Sequence, residues 1–527
     1  DTLAAQEAGT RVRTTLSQPL QAAVSRRVDA AVARLSAQGV HNAAALVIDN
    51  RDMSVLAYAG NRSDLGETER GYAVDLVRRP RSTGSLLKPF LFAAMVQDGA
   101  LAPASLVPDV PMHFTGFEPE NFDKTYRGAV RAREALAQSL NVPAVFMLRE
   151  HGVERFYDEL KQLGMSTLFR APDGYGLTLV LGGSEGTLWD LAQMYANLAR
   201  ISESGRSRAA VRQAALRLRA DQPLQETRGA PFGAGAAYLT LDALQEVSRP
   251  EIDRNWRSFD SSRKLAWKTG TSYGLRDGWA IGVTPRHTIA VWVGNASGEG
   301  QAGLTGAGMA APLMFEILDE LPQDPWFRQP GMDLRQVALC RDDGYLPVQG
   351  CATELQWLPA GGRFQVASRN HQTVPLDAAG LWRVHSGCES VSRMQYRSWF
   401  VLPPRQEYWY RQRESGYRQL PRYRADCQRL LDADGGRPFD IVYPEAGAKI
   451  FIPTDLGGTR GRVVLEAVHS REDAKLFWHL DGEYVGETGP FHKLALDLPA
   501  GEHRLTLVDG DGNRQVRSFT VLPRGQS

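Results

Sequence analysis

The sequence predicts an α/β multidomain chain in three folded parts. These are an antiparallel sheet flanked by helices with a helical subdomain, a disulfide-pinned connecting module, and an all-β immunoglobulin-like sandwich. Three observations predict this order. Strand patterns at 43–60 and 265–295 bracket a long helical stretch, all four cysteines fall after residue 339, and short alternating runs fill the chain from Phe439 onward. The 527 residues also suit about three domains of ordinary size. The expected boundaries are a linker at 1–19, a mixed domain at 20–321, the connecting module at 322–437 and the sandwich at 438–527.

Taken in order, Leu20, Val24, Val28, Val32 and Leu35 recur at helical spacing and predict an amphipathic helix after the linker. The run AAALVIDNRDMSVLAYAG at 43–60 sets two apolar segments around the polar turn Asn50, Arg51 and Asp52, which reads as a β-hairpin. From 82 to 200 the runs SLLKPFLFAAMVQDGA, VRAREALAQSLNVPAVFML and GTLWDLAQMYANLAR are helical, with loops rich in Pro and Gly. LAWKTGT, GWAIGVTP and TIAVWVGN then read as an antiparallel meander, and MAAPLMFEILDE at 309–320 as a closing helix. Strands, a helical insertion and strands again argue for an antiparallel sheet with helices on it, not a doubly wound parallel sheet. Beyond Phe439, the runs DIVYP, KIFIP, RVVLEAV, KLFWHL, KLALDL, HRLTLV and RSFTVL give about seven strands of a sandwich.

Composition excludes several functions. With 61 Lys+Arg against 60 Asp+Glu, no basic excess draws the chain to nucleic acid or an anionic membrane. No apolar stretch reaches the 18 or so residues of a spanning helix. Cys340, Cys351, Cys388 and Cys427 lack C-x-x-C spacing and a histidine pair, so they read as two disulfides formed in an oxidising compartment. Three connectivities are open, the sequence-local one (Cys340 with Cys351, Cys388 with Cys427) is favoured, and four buried thiols are the alternative. The segment DGDGN at 509–513 looks like a calcium loop, but Arg514 and Thr520 stand where glycine and glutamate are required, so a hairpin turn is expected. No metal is expected anywhere, and no H-E-x-x-H pattern occurs. The aromatics from Trp382 to Tyr423 read as a small core or as a glycan- or protein-binding surface.

Three motifs carry chemistry together: Ser85-Leu86-Leu87-Lys88, Ser139-Leu140-Asn141 and Lys268-Thr269-Gly270. Chance matches occur, since Ser261-Ser262-Arg263-Lys264 and Ser368-Arg369-Asn370 fit the first two patterns. Only the set at 85, 139 and 268 falls in order within one domain. Ser85 follows Gly84 and opens an apolar helix on which Lys88 lies one turn away. A hydroxyl needs an adjacent base to become a nucleophile, and a desolvated Lys88 can supply it. A helical run ends at Ser139, and Pro143 marks a loop. Ser139 can relay a proton to a leaving amine and Asn141 can hold a peptide bond. On the strand LAWKTGT, Lys268 and Gly270 share one face and Thr269 and Thr271 the other. Gly270 opens the strand edge to a substrate backbone and Lys268 supplies positive charge. The threonine hydroxyls are expected to bind a carboxylate, and the N–H groups of Ser85 and Thr271 to form an oxyanion hole.

The set STGSLLKPF, SLN and KTGTS resembles the penicillin-binding protein and serine β-lactamase superfamily. The flanks ENFDKTYRGAVRAREALAQSLNVPAVF and KTGTSYGLRDGWAIGVTP look like the transpeptidase domain of class A penicillin-binding proteins. The whole chain, through WFVLPPRQEYWYR and the closing sandwich, is similar to the 1C type of that class. Such proteins normally carry a membrane anchor and a glycosyltransferase domain ahead of the transpeptidase. The expectation is therefore a C-terminal portion, joined to the membrane only through a missing anchor and without glycan polymerisation. The resemblance implies a peptidoglycan DD-transpeptidase. Ser85 would attack the D-Ala-D-Ala bond of a stem peptide with Lys88 as base, pass the acyl group to a neighbouring amine, and react with β-lactams. It implies a periplasmic location, no cofactor, and periplasmic cell-wall partners for the C-terminal modules. The alternatives are a DD-carboxypeptidase or β-lactamase, or a β-lactam-binding sensor or scaffold. The sandwich itself reads as a binding or spacing module.

Overall fold

The computed structural model describes residues 12–63, 70–112, 114, 117–247, 263–428, 438–452, 461–471, 473–489 and 491–523. Residues 1–11 of the expected linker, and Ser261 and Ser262 of the chance S-x-x-K match, lie outside the described residues. Two compact units emerge, one of residues 1–105, 131–338 and 355–366, the other of 106–130, 339–354 and 367–527.

In the first unit, helix α1 (Gln18–Ser36) buries Val24, Val28, Val32 and Leu35, the stripe that the 3.6-residue period requires. Pro19 sits in its first turn, where a missing N–H costs nothing. The chain just ahead, expected as linker, is extended: Thr15 N–H donates to Leu218 O and Ser17 N–H to Leu56 O, each at 2.9 Å. Strands β1 (Asn42–Asp49) and β2 (Ser54–Ala59) form the hairpin. The helices that follow are α2 (Lys88–Asp98), α3 (Ala132–Ala137), α4 (Asn141–His151), α5 (Val153–Gln162), α6 (Leu188–Ser204) and α7 (Ala234–Leu244). The meander β3 (Ala266–Thr271), β4 (Asp277–Val283) and β5 (His287–Gly294) precedes helix α8 (Ala311–Leu318).

These strands make one antiparallel five-stranded sheet in the order β2-β1-β5-β4-β3. β1, β4 and β5 are buried along their whole length, because α1 with α8, and α6 with α7, cover the sheet. Strands covered on both faces lose the in/out alternation and read as continuous apolar runs, as β1 and β5 do. β3 is an edge strand.

Trp279 on β4 lies opposite Trp292 on β5, edge to face with ring centroids 6.4 Å apart. The Trp279 indole N–H donates to Ser82 O at 2.8 Å, so a fully buried core ring anchors the chain three residues ahead of Ser85. Trp279→Ala is expected to cost about 3–5 kcal/mol and to lower the first calorimetric transition of the chain. A loss under about 1 kcal/mol would mean the ring is not the anchor described.

The second unit ends in a sandwich of eight strands among the described residues: β6 (Phe439–Tyr443), β7 (Lys449–Ile450), β8 (Val463–His469), β9 (Leu476–Leu480), β10 (Glu483–Thr488), β11 (Lys493–Leu496), β12 (Gly501–Asp509) and β13 (Arg514–Val521). They form sheets β6-β8-β11 and β7-β13-β12-β9-β10. Phe439, Ile441, Leu465, Trp478, Leu505, Leu507 and Phe519 fill the space between them. Two features differ from expectation. β10 is an eighth strand, a polar and largely exposed edge with no apolar run to announce it. The short β7 pairs with β13 in parallel. DGDGN is the β12–β13 turn, with the Asp509 carboxylate accepting from the N–H groups of Asp511 and Asn513 and from the Asn513 amide.

Both disulfides lie in this unit and follow the sequence-local pairing, Cys340–Cys351 with Cα atoms 5.7 Å apart and Cys388–Cys427 at 5.1 Å. The connecting segment is less irregular than its composition suggests, with a hairpin of His371–Leu376 against Gln395–Phe400 and a helix at Pro404–Tyr410. Its aromatics divide. Phe400, Tyr410 and Tyr417 pack on a small core of Leu106, Ala129 and Leu402, whereas Trp382 and Tyr396 are exposed. No described helix is long and apolar enough to cross a membrane.

Candidate active site

Ser85 lies in a tight turn of residues 84–87, and α2 begins only at Lys88. The expectation that Ser85 itself opens the helix is corrected by three residues. The reason is local: Gly84 has a φ of +52°, outside the helical region, and Pro89 suits the first turn of a helix that starts at Lys88. Lys88 N–H reaches back to Ser85 O at 3.4 Å, so the serine and lysine remain one turn apart.

The turn is fixed from several sides. Ser82 Oγ donates to Gly182 O at 2.7 Å, Thr83 N–H donates to Ser184 O at 3.1 Å, and the buried Tyr195 hydroxyl donates to Leu86 O at 2.8 Å. Against the edge strand the fit is closer still. A Cβ built on Gly84 would lie 2.7 Å from Thr271 N and 2.8 Å from Thr271 O, and one on Gly270 would lie 2.8 Å from Thr83 O. Both positions therefore exclude a side chain, and the backbone just before Ser85 rests against Thr271. Ser85 is partly exposed. Among the described residues no group takes its hydroxyl or its backbone N–H.

The second motif joins from a different break in the helices. α3 ends at Ala137 and α4 begins at Asn141, with Ser139 between them at a φ of +57°. Such a conformation is uncommon outside glycine, and here it turns both the carbonyl and the hydroxyl of Ser139 toward lysines. Pro143, expected to mark a loop, stands in the first turn of α4, where the N–H it lacks would have had no helical acceptor.

Lys88, 2% exposed, donates to Ser139 O at 2.8 Å, Leu140 O at 3.1 Å and Asn141 Oδ1 at 2.7 Å. Three acceptors match the three protons of an ammonium. Burial, and then the charge of Lys268, hold its pKa well below 10.5. Lys268, 1% exposed, donates to Ser139 Oγ at 2.7 Å and to Thr269 O at 2.8 Å. Its burial lowers the pKa to about 7. Ser139 thus lies between two desolvated lysines, its carbonyl on one and its hydroxyl on the other, and the expected hydroxyl contact to Lys88 is instead a contact to Lys268.

On β3, Lys268 and Gly270 are buried while Thr269 and Thr271 are partly exposed, the alternation of a pleated strand. Gly306 N–H donates to Thr271 Oγ at 3.0 Å. That contact occupies an acceptor site of the hydroxyl and leaves its proton to donate outward. The three distant stretches thus converge. Sequence pattern alone did not reveal the supports, namely Ser82, Thr83, Tyr195, Trp279 and Gly306, because each acts through a contact more than 35 residues away or through backbone.

Side chains close enough to share a cation occur elsewhere among the described residues: Asp98, His151 and Glu159, and each cystine with one histidine, His371 or His385. Arg155 bridges Asp98 and Glu159, the cystine sulfurs are bonded to each other, and no cleft residue is among them.

Comparison with known proteins places this geometry in a family. Residues 43–319 match the model described as the penicillin binding protein transpeptidase domain, and residues 429–519 match the Penicillin-Binding Protein C-terminus Family. Penicillin-binding protein 1C of Escherichia coli (strain K12) is 30% identical over 508 residues, covering 91% of this chain and 61% of that protein. Penicillin-binding protein 1B of Vibrio cholerae is 29% identical over 341 residues, covering 61% of this chain and 42% of that one. The chain therefore spans less than two thirds of the length of these relatives. Among solved structures, the penicillin-binding protein PonA1 from Mycobacterium tuberculosis superposes with a TM-score of 0.51 at 23% identity, over 67% of this chain and 93% of that one. It shares the fold. With the transpeptidase model matched over more than half its length, the chain belongs to the penicillin-binding protein transpeptidase family.

Proposed function

We propose that this chain is a serine DD-transpeptidase of peptidoglycan, acting on D-Ala-D-Ala stem peptides and acylated by β-lactams. One observation carries the reading: Ser139 bridges Lys88 and Lys268, through its carbonyl and its hydroxyl, both amines are desolvated, and the partly exposed Ser85 lies one turn from Lys88. The family membership supports it, and a related PonA1 structure at 22% identity is described in complex with penicillin V. The two disulfides suit a periplasmic setting.

In the proposed reaction Lys88 acts as the amine. It gives up one of its three donated bonds and turns its lone pair to the Ser85 hydroxyl. Ser85 Oγ attacks the carbonyl carbon of the penultimate D-Ala as its proton passes to Lys88. The oxyanion draws on the N–H groups of Ser85 and Thr271. The C–N bond then breaks, and the departing D-Ala amine takes a proton from Lys268 through Ser139 Oγ, the hydroxyl to which Lys268 donates. Asn141 and the edge of β3 hold the peptide, with Thr269 and Thr271 on its carboxylate and Lys268 supplying charge. The acyl ester is released when the amine of a second stem attacks it: the surplus proton of that amine passes through Ser139 Oγ to Lys268, and Lys88 returns its proton to Ser85 Oγ, restoring the hydroxyl.

The test uses the full chain with a D-Ala-D-Ala-terminated donor and a D-amino acid acceptor, with products separated by chromatography. Transfer to the acceptor supports the reading. Hydrolysis alone would make the chain a carboxypeptidase, and no turnover with no acylation would favour a scaffold.

The lysines also set a pH dependence. A protonated Lys88 cannot accept a proton, so acylation falls on the acid side. Lys268 loses its charge as pH rises through about 7, so acylation falls again above that value. A bell-shaped profile with its alkaline limb near pH 7 is expected from stopped-flow acylation with a chromogenic cephalosporin. A rate rising steadily to pH 10 would contradict the assigned charge on Lys268.

A further inference from the structure

A groove lies on the C-terminal sandwich, far along the chain from the motifs. It has a volume of 370 Å³ and is lined by Glu118, Tyr443, Phe451, Arg462, Glu466 and Lys493, among others. Its floor is the outer face of sheet β6-β8-β11. On β8, Val463 and Leu465 point into the core while Val464 and Glu466 point outward. Tyr443, Glu466 and Lys493 stand in one row across the three strands. Glu466 and Lys493 pair at 3.2 Å. Phe451, at the groove wall, is 55% exposed, and Val464 on its floor is 48% exposed.

This lining selects a ligand chemistry. Two carboxylates and two cations cancel, so neither a polyanion nor a polycation is favoured. Two aromatic rings beside fixed charged donors and acceptors suit a molecule with apolar C–H faces and many hydroxyl or amide groups. Carboxylates and a guanidinium can each engage paired neighbouring hydroxyls. Burial, and then the charge of Glu118 nearby, raise the pKa of the Tyr443 hydroxyl, which keeps that group protonated. We propose that this groove binds a linear pyranose oligosaccharide bearing acetamido groups, with Phe451 and Tyr443 against sugar faces and Arg462, Glu466 and Glu118 on its polar groups. The site is independent of the acyl-transfer reading and would hold the chain on a glycan.

Calorimetric titration of the whole chain with the β-1,4-linked tetramer of N-acetylglucosamine tests it, with the glucose tetramer of the same linkage as comparison. Binding with a Kd of about 1 mM or tighter is expected, weakened about tenfold or more in Phe451→Ala and in Arg462→Ala. The tetramer lacking acetamido groups is expected to bind more weakly. Ser85→Ala is expected to bind as the parent does, which separates this site from the cleft. Penicillin acylation of Phe451→Ala and Arg462→Ala at the parent rate establishes that those variants are folded. No binding at about 5 mM, or parental affinity in both groove variants, would overturn the proposal.

Discussion

Lys88→Ala is expected to slow acylation by a labelled penicillin by about 10²–10⁴-fold, because the proton of Ser85 then has no base to receive it. The substitution also strips a donor from Ser139 O, Leu140 O and Asn141 Oδ1. Each unsatisfied buried acceptor costs about 1–3 kcal/mol, so the variant is expected to unfold at lower temperature. The rate must accordingly be measured on folded protein, with circular dichroism as the check. Lys88→Met fills the same space with an apolar chain and is expected to show the same rate loss. Acylation within about threefold of the parent in a folded Lys88→Met would remove Lys88 from the proton transfer.

Lys268→Ala is expected to slow acylation at neutral pH by about 10²-fold, the order seen when one preorganised donor is lost from a site of developing charge. Its more telling effect is a shift. The charge of Lys268 lowers the pKa of Lys88. Without it the Lys88 amine holds its proton to higher pH, so the acid limb of the rate profile moves toward alkali. Lys268→Arg keeps a charge that does not titrate in this range and is expected to abolish the alkaline limb. If Lys268 only packed, its removal would scale the whole profile without moving either limb. Stopped-flow profiles of the three proteins decide between these outcomes.

Much of the cleft was legible because its chemistry is written in local pattern. LAWKTGT alternates as a strand, but Gly270, read as room for a substrate backbone, has the chain's own Thr83 O, Leu86 and Trp279 on the side a Cβ would occupy. The order of strands, helices and strands gave the antiparallel sheet for the same reason. The cysteines paired as their spacing suggested. What pattern could not carry was backbone detail and long-range partnership. Gly84 was visible, but not that its positive φ delays the helix to Lys88. Serine rarely adopts a positive φ, so nothing in SLN signals that Ser139 would turn its hydroxyl to Lys268, 129 residues away. Strand β10 escaped because an exposed edge carries no apolar alternation. Residues 106–130 lie in the middle of the helical insertion, yet they belong to the second compact unit, a grouping set by tertiary packing of Leu106 and Ala129 with Leu402.

The central claim is that Ser85 is the nucleophile of a cleft assembled from three distant stretches. Peptide mapping by mass spectrometry after incubation with a labelled penicillin tests it most directly. The account predicts one covalent adduct, on the peptide containing Ser85, absent from Ser85→Ala. An adduct on any other residue, or none on folded protein, would contradict it.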